Sequence, residues 1–536
     1  MVSKKQLSNT KKLAINKAID LMSAGKLSSA MRVILNNFSK NTDIYLFFKG
    51  WQAQLQNKHE LAIKLFEQSL LKNPIREDTL IGLAASYLEL GDFSRARECA
   101  EQALIVNPQS AQTMLTLATI ISKQDSKNFD AQEQALQHLE NALDIVLTTQ
   151  ADSNALLVDI ISAMGACFLN QKLNYQAEVV LEKAVSLDRY NIVANKNLAS
   201  VYANLRKIDK AIEACKIAEM SDDVSDKIDS MYQQGMLQLM NGNYAKGWRL
   251  HESRLHSVKY SQRDLLIANT LNFEALTEHD SVLLFQEQGI GDFLQFSRYI
   301  PIISAKCKNI DVVILPNSYL PINNEIPSIK RFVELNFGKY IRQVLVKSVD
   351  KISKDYTYSA SLMSLPYILK TRKDSIPPVL PFITDALLLN KEGNRVGLFY
   401  KGSAHHSNNY NRSMPLEYVK KLVSANPDIT FVNMQLDNEL SEFPNVTHMD
   451  TSGLEILLAA LNHCKLLVTV DSMIAHLAGG ANIPTLVMHA YSSDWRWGVD
   501  TDKSDWYPSI KNIRQDSIGD WNTVLVKVQA ELNSIK

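Results

Sequence analysis

A short polar segment after an apolar run carries the first candidate for catalysis. Residues 282–285 predict a buried strand, and Gln288, Gly289, Gly291 and Asp292 follow them where a helix is expected to begin. Glycines at such a place let a ligand approach the backbone, and a helix N-terminus favours anions. A carboxylate there can remove a proton from an acceptor hydroxyl. The alternative is that Asp292 caps the helix.

A second polar turn follows the apolar residues 466–470. Asp471 and Ser472 come first, and His476 lies more than one turn into the helix expected next. The free N–H groups at the start of that helix would bind a phosphate, with His476 as a neighbouring donor. The alternative is that Asp471 caps the helix and His476 is a packed core histidine.

Two further loops could contact a ligand. The polar loop after residues 396–399 carries Lys401 and Arg412, and such loops either hold a ligand or are merely mobile. Trp495 belongs to a tryptophan-rich segment, which could stack on a base or sugar or fix a loop to the core. The triplet 500–502 matches the D-x-D motif of metal-dependent sugar transferases, but three letters match by chance easily, and we assign no metal.

These segments need strands to position them. Seven short apolar, β-branched runs predict strands at residues 282–285, 312–315, 344–346, 396–399, 429–432, 466–470 and 485–488. Helix-like stretches separate several of the runs, which indicates parallel α/β sheets. Prolines at 377–381 and the polar residues 390–394 divide the region near residue 390. Two Rossmann-like lobes with a cleft would fit a GT-B glycosyltransferase and other two-lobed α/β proteins equally well.

The first half of the chain is a repeat array. Six alanines recur at steps of 34, 39, 42, 34 and 34 residues, namely Ala62, Ala96, Ala135, Ala177, Ala211 and Ala245. A period of 34 residues is typical of tetratricopeptide (TPR) repeats, each a pair of antiparallel helices. In the sixth repeat, Arg249 and Glu252 replace small residues. This helix either docks on the following domain or forms a polar cap to the array.

Composition narrows the class of protein. The 536 residues are 46% hydrophobic, and 57 basic residues balance 57 acidic ones, which argues against a nucleic-acid partner. Five cysteines without a C-x-x-C pair favour reduced thiols over a disulfide scaffold or a zinc ribbon. No signal peptide or membrane span is predicted. We therefore expect a cytoplasmic protein.

The combination of motifs resembles bacterial TPR-containing glycosyltransferases with a heptosyltransferase-like catalytic part. The resemblance covers residues 242–254 and 281–521, about half of the chain. The matching sequence motifs are Gly247-Trp248 with Glu252 and Arg254, Glu287-Gln288-Gly289-x-Gly291-Asp292, Ser364-Leu365-Pro366, Arg412-Ser413, Asp471-Ser472 with His476, Asp494-Trp495-Arg496-Trp497 and Trp506-Tyr507-Pro508.

The resemblance implies a GT-B fold and a metal-independent, inverting transfer from a nucleotide-activated sugar. By position it matches Asp292 with the family's general base, Arg412 with the cation near the donor phosphates, and the turn from Asp471 to His476 with the donor site. We expect capping helices over 1–40, a TPR array over 41–256, a linker over 257–280, an acceptor-side lobe over 281–390 and a donor-side lobe over 391–536.

The expected function is transfer of a sugar to a protein acceptor that the TPR array recruits, and by analogy with similar proteins flagellin would be one such acceptor. Two alternatives stay open. One is transfer to a lipid or polysaccharide, and the other is a non-catalytic TPR scaffold that keeps a GT-B fold. The sequence does not name the sugar, and hexosamine, heptose and nonulosonic acid donors all fit it.

Overall fold

The computed structural model of the protein describes residues 8–149, 154–257, 268–315, 325–346, 352, 355–385, 394–404, 406, 408–449 and 453–534. The chain divides into two compact units, Met1–Val201 and Tyr202–Lys536. Up to His256 the described structure is entirely helical, and parallel sheets follow from residue 269 onward.

The helical region contains fourteen α-helices among the described residues. They are α1 (Asn9–Ser23), α2 (Leu27–Asn37), α3 (Asp43–Leu55), α4 (His59–Lys72), α5 (Glu77–Glu89), α6 (Phe93–Val106), α7 (Ala111–Gln124), α8 (Phe129–Thr149), α9 (Asn154–Asn170), α10 (Asn174–Leu187), α11 (Ile192–Asn204), α12 (Ile208–Ala218), α13 (Val224–Met240) and α14 (Tyr244–His251). The six predicted repeats are the pairs from α3/α4 to α13/α14, and α1 and α2 precede them.

Small residues let the paired helices approach each other. Five of the six predicted alanines have no exposed surface, namely Ala62, Ala96, Ala135, Ala177 and Ala211. The ring of Phe66 fills the space beside two glycines, since a Cβ on Gly50 or Gly82 would lie 2.7 Å from it. The repeat pattern in the sequence therefore reflects close helix packing.

In the sixth repeat the small residue that packs against the paired helix is not at the expected position. Ala245 and Arg249 are exposed, whereas Gly247 is buried against Leu239. Gly247 is the fourth residue of α14, and Ala211 is the fourth residue of α12. Measured between these equivalent residues, the last repeat is two residues longer than the 34-residue period.

The longer repeat puts different side chains on the inner face of α14. Because of the shift, His251 and Arg254 occupy the inner positions that we had assigned to Arg249 and Glu252. Both are buried, with exposures of 0% and 4%. Arg254 pairs with Glu287 after the strand Val282–Phe285, whereas Trp248 and His251 pack against Trp495.

The strands form two sheets. The strands are β1 (Asn269–Thr270), β2 (Val282–Phe285), β3 (Ile310–Ile314), β4 (Gln343–Val346), β5 (Tyr358–Ser361), β6 (Arg395–Phe399), β7 (Thr430–Asn433), β8 (Val446–His448), β9 (Leu466–Val470), β10 (Thr485–His489) and β11 (Ile510–Arg514). The first sheet has the order β1-β5-β2-β3-β4 and the second β11-β10-β9-β6-β7-β8. Every pairing within them is parallel, for example Val282 with Ile310 and Val396 with Leu466.

All seven predicted strands are present, and four strands were not predicted. The four are β1, which has two residues, and β5, β8 and β11, whose polar residues hide the apolar pattern. The strand β1 lies within residues 257–280, where we had expected only a linker. It pairs with β5, and the nearby Leu271 and Leu276 are buried. The first sheet therefore begins before residue 281.

Short helices cover the sheets. They are α15 (Ile290–Phe296), α16 (Ile300–Ser304), α17 (Glu325–Phe337), α18 (Leu365–Ile368), α19 (Asn409–Arg412), α20 (Leu416–Ser424), α21 (Leu454–Asn462), α22 (Met473–Gly480) and α23 (Trp521–Asn533). One of the apolar cores runs from Trp248 through the buried faces of α15 and α22 to Tyr507. Within the described residues, no helix has the length and apolar character of a membrane span.

Candidate functional site

The N-terminal ends of α15 and α22 meet, and they bring the two polar turns of the sequence together. A Cβ on Gly291 would lie 3.0 Å from Cδ2 of His476 and 3.6 Å from Cα of Met473. A side chain at this position would require the ring of His476 to shift by a few tenths of an ångström. The predicted residues Gly289, Gly291 and Asp292 therefore share one site with Asp471, Ser472 and His476.

Asp292 is the third residue of α15, and Gly289 is the N-cap. The N-cap alternative for Asp292 is therefore wrong. Instead, Oδ1 of Asp292 accepts a hydrogen bond from Nη2 of Arg496. Burial raises the pKa of Asp292, while the charge of Arg496 opposes that shift. Asp292 is therefore an ionisable group at the junction of the two sheets, and its protonation depends on the balance of these two effects.

Arg496 is held on several sides. Its Nε donates to Oε1 of Gln295 at 2.6 Å, and its Nη1 donates to Oδ1 of Asp494 at 2.9 Å. The guanidinium also lies 4.5 Å from the ring centroid of Trp495. Arg496 therefore joins the 3₁₀ turn Trp495–Trp497 of the second sheet region to α15 of the first.

A buried ion pair supports the loop before Asp292. Nε and Nη2 of Arg254 donate to the two carboxylate oxygens of Glu287 at 2.8 and 2.9 Å. Nη2 also donates to Ser364 at 2.9 Å, and Ser361 donates to Glu287 at 2.6 Å. Nη1 donates to the carboxylate of Glu252 at 2.6 Å. Because Arg254 and Glu287 each have several hydrogen-bond partners, this ion pair fixes the start of the glycine loop, residues 286–289, against the last helical repeat.

Asp471 does not cap α22 either, because Ser472 is the N-cap. Burial and the charge of Asp494 raise the pKa of Asp471 to about 6, whereas Arg412 opposes the shift. Burial lowers the pKa of Arg412, and its Nε is buried without a hydrogen-bond partner. The charges of Arg412 and Asp471 therefore act on each other near the N-terminus of α22.

His476 is almost completely buried, with 6% of its surface exposed. Its Nδ1 lies 2.9 Å from the Tyr507 hydroxyl, and its ring stacks on Trp497 with centroids 5.4 Å apart. Burial holds the pKa of His476 well below its usual range, so the ring is neutral at physiological pH. A neutral His476 can offer a hydrogen bond to a ligand, but not a charge.

Two predicted binding residues already have protein partners. Lys401 forms ion pairs with Asp437 and Glu439. Trp495 is 5% exposed and packs edge-on against Trp248, with ring centroids 5.4 Å apart. The structure thus places Trp495 in the aromatic core, and the binding roles of both residues stay predictions.

Three residues of the site were not selected from the sequence. Arg496 and Asp494 were quoted only as part of a motif, and their neighbourhood with Asp292 depends on the tertiary structure. Burial raises the pKa of Tyr232 of α13, the charges of Arg254 and Arg496 lower it, and that of Glu287 in the glycine loop raises it. No spacing in the sequence connects Tyr232 to a loop that lies more than fifty residues later.

The D-x-D triplet has a structural role. Asp500 forms an ion pair with Arg206, which also donates to the carbonyl of Val499 at 2.8 Å. Among the residues that the structure describes, no group of three or more His, Cys, Asp or Glu side chains could hold a metal ion.

Comparison with known proteins identifies a repeat family in the helical part of the chain. The family model of the tetratricopeptide repeat matches residues 53–118. The N-terminal region contains TPR repeats. Such repeats are protein-binding scaffolds, and each pair of helices buries its apolar face against its neighbours.

The similarities to individual proteins are distant. Protein FlbA of Caulobacter vibrioides is 21% identical to this chain over 533 residues, which cover 90% of this chain and 77% of the relative. Among solved structures, a thermophilic TPR protein of Thermus thermophilus is 19% identical, with a TM-score of 0.32, and covers 36% of this chain and 98% of its own. The type IV pilus biogenesis factor PilW is 16% identical, with a TM-score of 0.34, and covers 41% and 95%.

Proposed function

We propose that this chain is a metal-independent glycosyltransferase that moves a sugar from a nucleotide-activated donor to a protein bound by the TPR repeats. One observation carries the proposal. The carboxylate of Asp292, from the first sheet region, lies where the N-terminus of α22, from the second, meets α15. Two parallel sheets that meet at such a site fit the two lobes of a GT-B fold.

The chemistry follows from these groups. The acceptor oxygen forms a bond to the anomeric carbon while the bond from that carbon to the phosphate oxygen breaks. The acceptor proton goes to Asp292. Burial raises the pKa of this carboxyl group, and the charge of Arg496 limits the rise. The departing nucleotide takes the bonding electrons, and its phosphate charge is met by Arg412 and by the backbone N–H groups that open α22. Attack from the face opposite the phosphate inverts the anomeric centre.

Donor binding is the first test. We would titrate the full-length protein with UDP-N-acetylglucosamine, ADP-heptose and a CMP-nonulosonic acid by calorimetry, with EDTA present. We expect at least one donor to bind, and Arg412→Ala to weaken it by about 10- to 100-fold, as for loss of a charge-assisted hydrogen bond. Arg95→Ala, which changes an exposed arginine in the other compact unit, is the matched control. If none of the donors binds, the protein is a scaffold and not a transferase.

The role of Asp292 is tested separately. Asp292→Asn keeps the size of the side chain and removes its basicity, so we expect donor binding to persist and turnover to fall by about 10²- to 10⁴-fold. Asp520→Asn changes an aspartate that caps α23 and should leave turnover unchanged. Asp292→Asn that keeps more than about a tenth of the activity would contradict the general-base assignment.

The acceptor is proposed from the repeats, since TPR arrays bind proteins. Co-expression with a flagellin, followed by intact-mass measurement, would show one sugar mass added per modified site. A mass shift that disappears in Asp292→Asn would identify this chain as the transferase. Modification of a lipid or glycan fraction, with the flagellin mass unchanged, would instead favour the alternative acceptor.

A further inference from the structure

The carboxylate of Asp292 is bound through one oxygen and open at the other. Oδ1 accepts a hydrogen bond from Nη2 of Arg496. Among the residues that the structure describes, no side chain donates a hydrogen bond to Oδ2, and 18% of the side chain is exposed. Oδ2 is therefore able to accept a proton from a ligand, while the contact at Oδ1 fixes the orientation of the carboxylate.

Arg496 is held by several contacts at once. Its Nε donates to Gln295 at 2.6 Å and its Nη1 to Asp494 at 2.9 Å, and its guanidinium lies 4.5 Å from the ring centroid of Trp495. Gln295 lies three residues after Asp292 on α15, so one guanidinium binds two side chains on the same face of this helix. Because a guanidinium is planar, these contacts together determine where Nη2 points.

Charges of both signs act on Asp292. Burial raises the pKa of Asp292, the charge of Arg496 lowers it, and the charges of Asp494 and Glu287 raise it. Glu287 is itself paired with Arg254. Arg496 is thus the charged group that most strongly favours the ionised form of Asp292.

Four nearby side chains that can ionise are neutral at physiological pH. Burial holds the pKa of His251 on α14 and that of His476 on α22 well below the usual range. Burial raises the pKa of Tyr507 to about 12. Tyr232 lies on α13, which packs against the turn Trp495–Trp497, and burial raises its pKa as well. None of these four groups replaces the positive charge of Arg496.

We propose that Arg496 is a positioning residue for the candidate transferase: it binds one oxygen of Asp292 and so holds the other towards the acceptor hydroxyl. The inference rests on the proposed function, in which Asp292 is the general base. Arg496 belongs to the second sheet region and Asp292 to the first, so the base is positioned only while the two regions are in contact. A misplacement of about 1 Å can lower turnover by about 100-fold, and loss of this contact should therefore affect the rate.

The pH dependence of kcat/KM tests the proposal in the full-length protein, with the donor that the calorimetry identifies. The acid limb of that profile reports the pKa of the base in the free enzyme. Arg496→Met removes the positive charge and should move the limb up by about 1–3 pH units, whereas Arg496→Lys keeps the charge and should move it less. Asp494→Asn removes a negative charge and should move the limb down, which a damaged fold would not do.

Rate and affinity are measured with the same variants. At pH 7.5 we expect Arg496→Met to lower kcat by about 10- to 100-fold. Its donor affinity should stay within about twofold of the parent. An Arg496→Met protein that binds the donor about tenfold more weakly, with the acid limb unmoved, would make Arg496 a donor-binding residue and overturn the proposal.

Asp471 is another group that would produce such a limb. Burial and the charge of Asp494 raise the pKa of Asp471 to about 6, and the charges of Arg412 and Arg496 oppose that shift. The profiles are therefore also measured with Asp471→Asn introduced into the parent and into Arg496→Met, and the shift between these two proteins should persist. If it disappears, the limb belongs to Asp471 and the proposal is wrong.

The matched control is Arg342→Met, which takes an arginine from another buried aspartate. Nε and Nη2 of Arg342 donate to the two carboxylate oxygens of Asp311. Asp311 is the second residue of β3 and lies opposite Leu283, whereas Asp292 follows the C-terminal end of β2. We expect Arg342→Met to lower the free energy of unfolding and to leave the acid limb in place.

The outcomes separate the two proposals. If the parent turns over a donor but Arg496→Met moves the limb no further than the control does, the positioning role is wrong and the proposed function stands. If the parent binds and turns over no donor, the proposed function fails and this inference fails with it.

Discussion

At the scale of residues, the candidate site is built from ionisable groups that restrain one another. Asp292 and Asp494 both accept hydrogen bonds from Arg496, while the charges of Asp494 and Arg412 act on Asp471. Burial alone would keep the carboxylates protonated, and the arginines oppose that effect. Burial and the charge of Asp494 outweigh the charge of Arg412 at Asp471 and raise its pKa to about 6.

Asp471→Asn should stabilise the protein at pH 7.5. The pKa of Asp471 is raised in the folded state, so the folded state holds this proton more tightly than the unfolded chain does. The contribution of Asp471 to stability is therefore fully present below about pH 4 and is lost as the pH rises to about 6. Asparagine does not undergo this loss, and we expect a gain of about 3 kcal/mol in the free energy of unfolding at pH 7.5.

Urea unfolding of both proteins at pH 4.5 and 7.5 measures this effect. The gain should be several times smaller at pH 4.5, where Asp471 is largely protonated. A variant that is equally stabilised at both values would show that ionisation of Asp471 is not the cause.

At the scale of elements, close backbone contact fixes the last helical repeat. A Cβ on Gly235 of α13 would lie 2.7 Å from the backbone nitrogen of His251. Backbone atoms cannot move aside as a flexible side chain can. The position of His251, and with it that of Arg254, thus depends on a glycine one helix earlier in the chain.

Gly235→Ala should destabilise the protein although alanine is the better helix former. Helix propensity alone would give a gain of about 1 kcal/mol, whereas overpacking against α14 costs about 1–3 kcal/mol and displaces the helix. The variant should unfold at a lower urea concentration than the parent. Ala245→Gly, on the exposed face of α14, is the reference for the effect of helix propensity alone. It should lower the free energy of unfolding by about 1 kcal/mol. A Gly235→Ala variant more stable than the parent would show that the two helices can separate freely.

At the scale of the whole molecule, the second compact unit joins the end of the helical array to both sheets. Arg254, from the 3₁₀ turn Glu252–His256 after α14, pairs with Glu287 of the first sheet region, and Trp248 packs against Trp495 and Trp506 of the second. The unit Tyr202–Lys536 accordingly includes α12 to α14. The last repeats are therefore part of the structure that carries the candidate site.

Arg254→Met should destabilise this unit by about 3–5 kcal/mol, because it leaves Glu287 buried without its partner. Five of the six tryptophans lie in Tyr202–Lys536, so the loss should appear in unfolding followed by tryptophan fluorescence. The double variant Arg254→Met, Glu287→Met should recover much of the loss. Arg95→Met, in an exposed pair with Asp92, should cost less than about 1 kcal/mol. An Arg254→Met variant as stable as this control would contradict the ion pair's role.

The sequence by itself determined the local structure. The spacing of the alanines predicted the helix pairs because a helix must present small residues wherever a neighbour approaches closely. The seven apolar runs predicted strands because a strand covered on both faces consists of apolar residues. The strand β5 escaped notice because its residues, Tyr358 to Ser361, are mostly polar.

Only the tertiary structure decided which of these groups meet. Two extra residues in the last repeat placed His251 on the inner face of α14 and Arg254 in the buried 3₁₀ turn after it. The alanine at position 245 concealed this shift. The contacts of Arg496 with Asp292 and of Trp248 with Trp506 join segments far apart in the chain. Such contacts depend on how helices and sheets pack, and the local spacing of residue types carries no information about that.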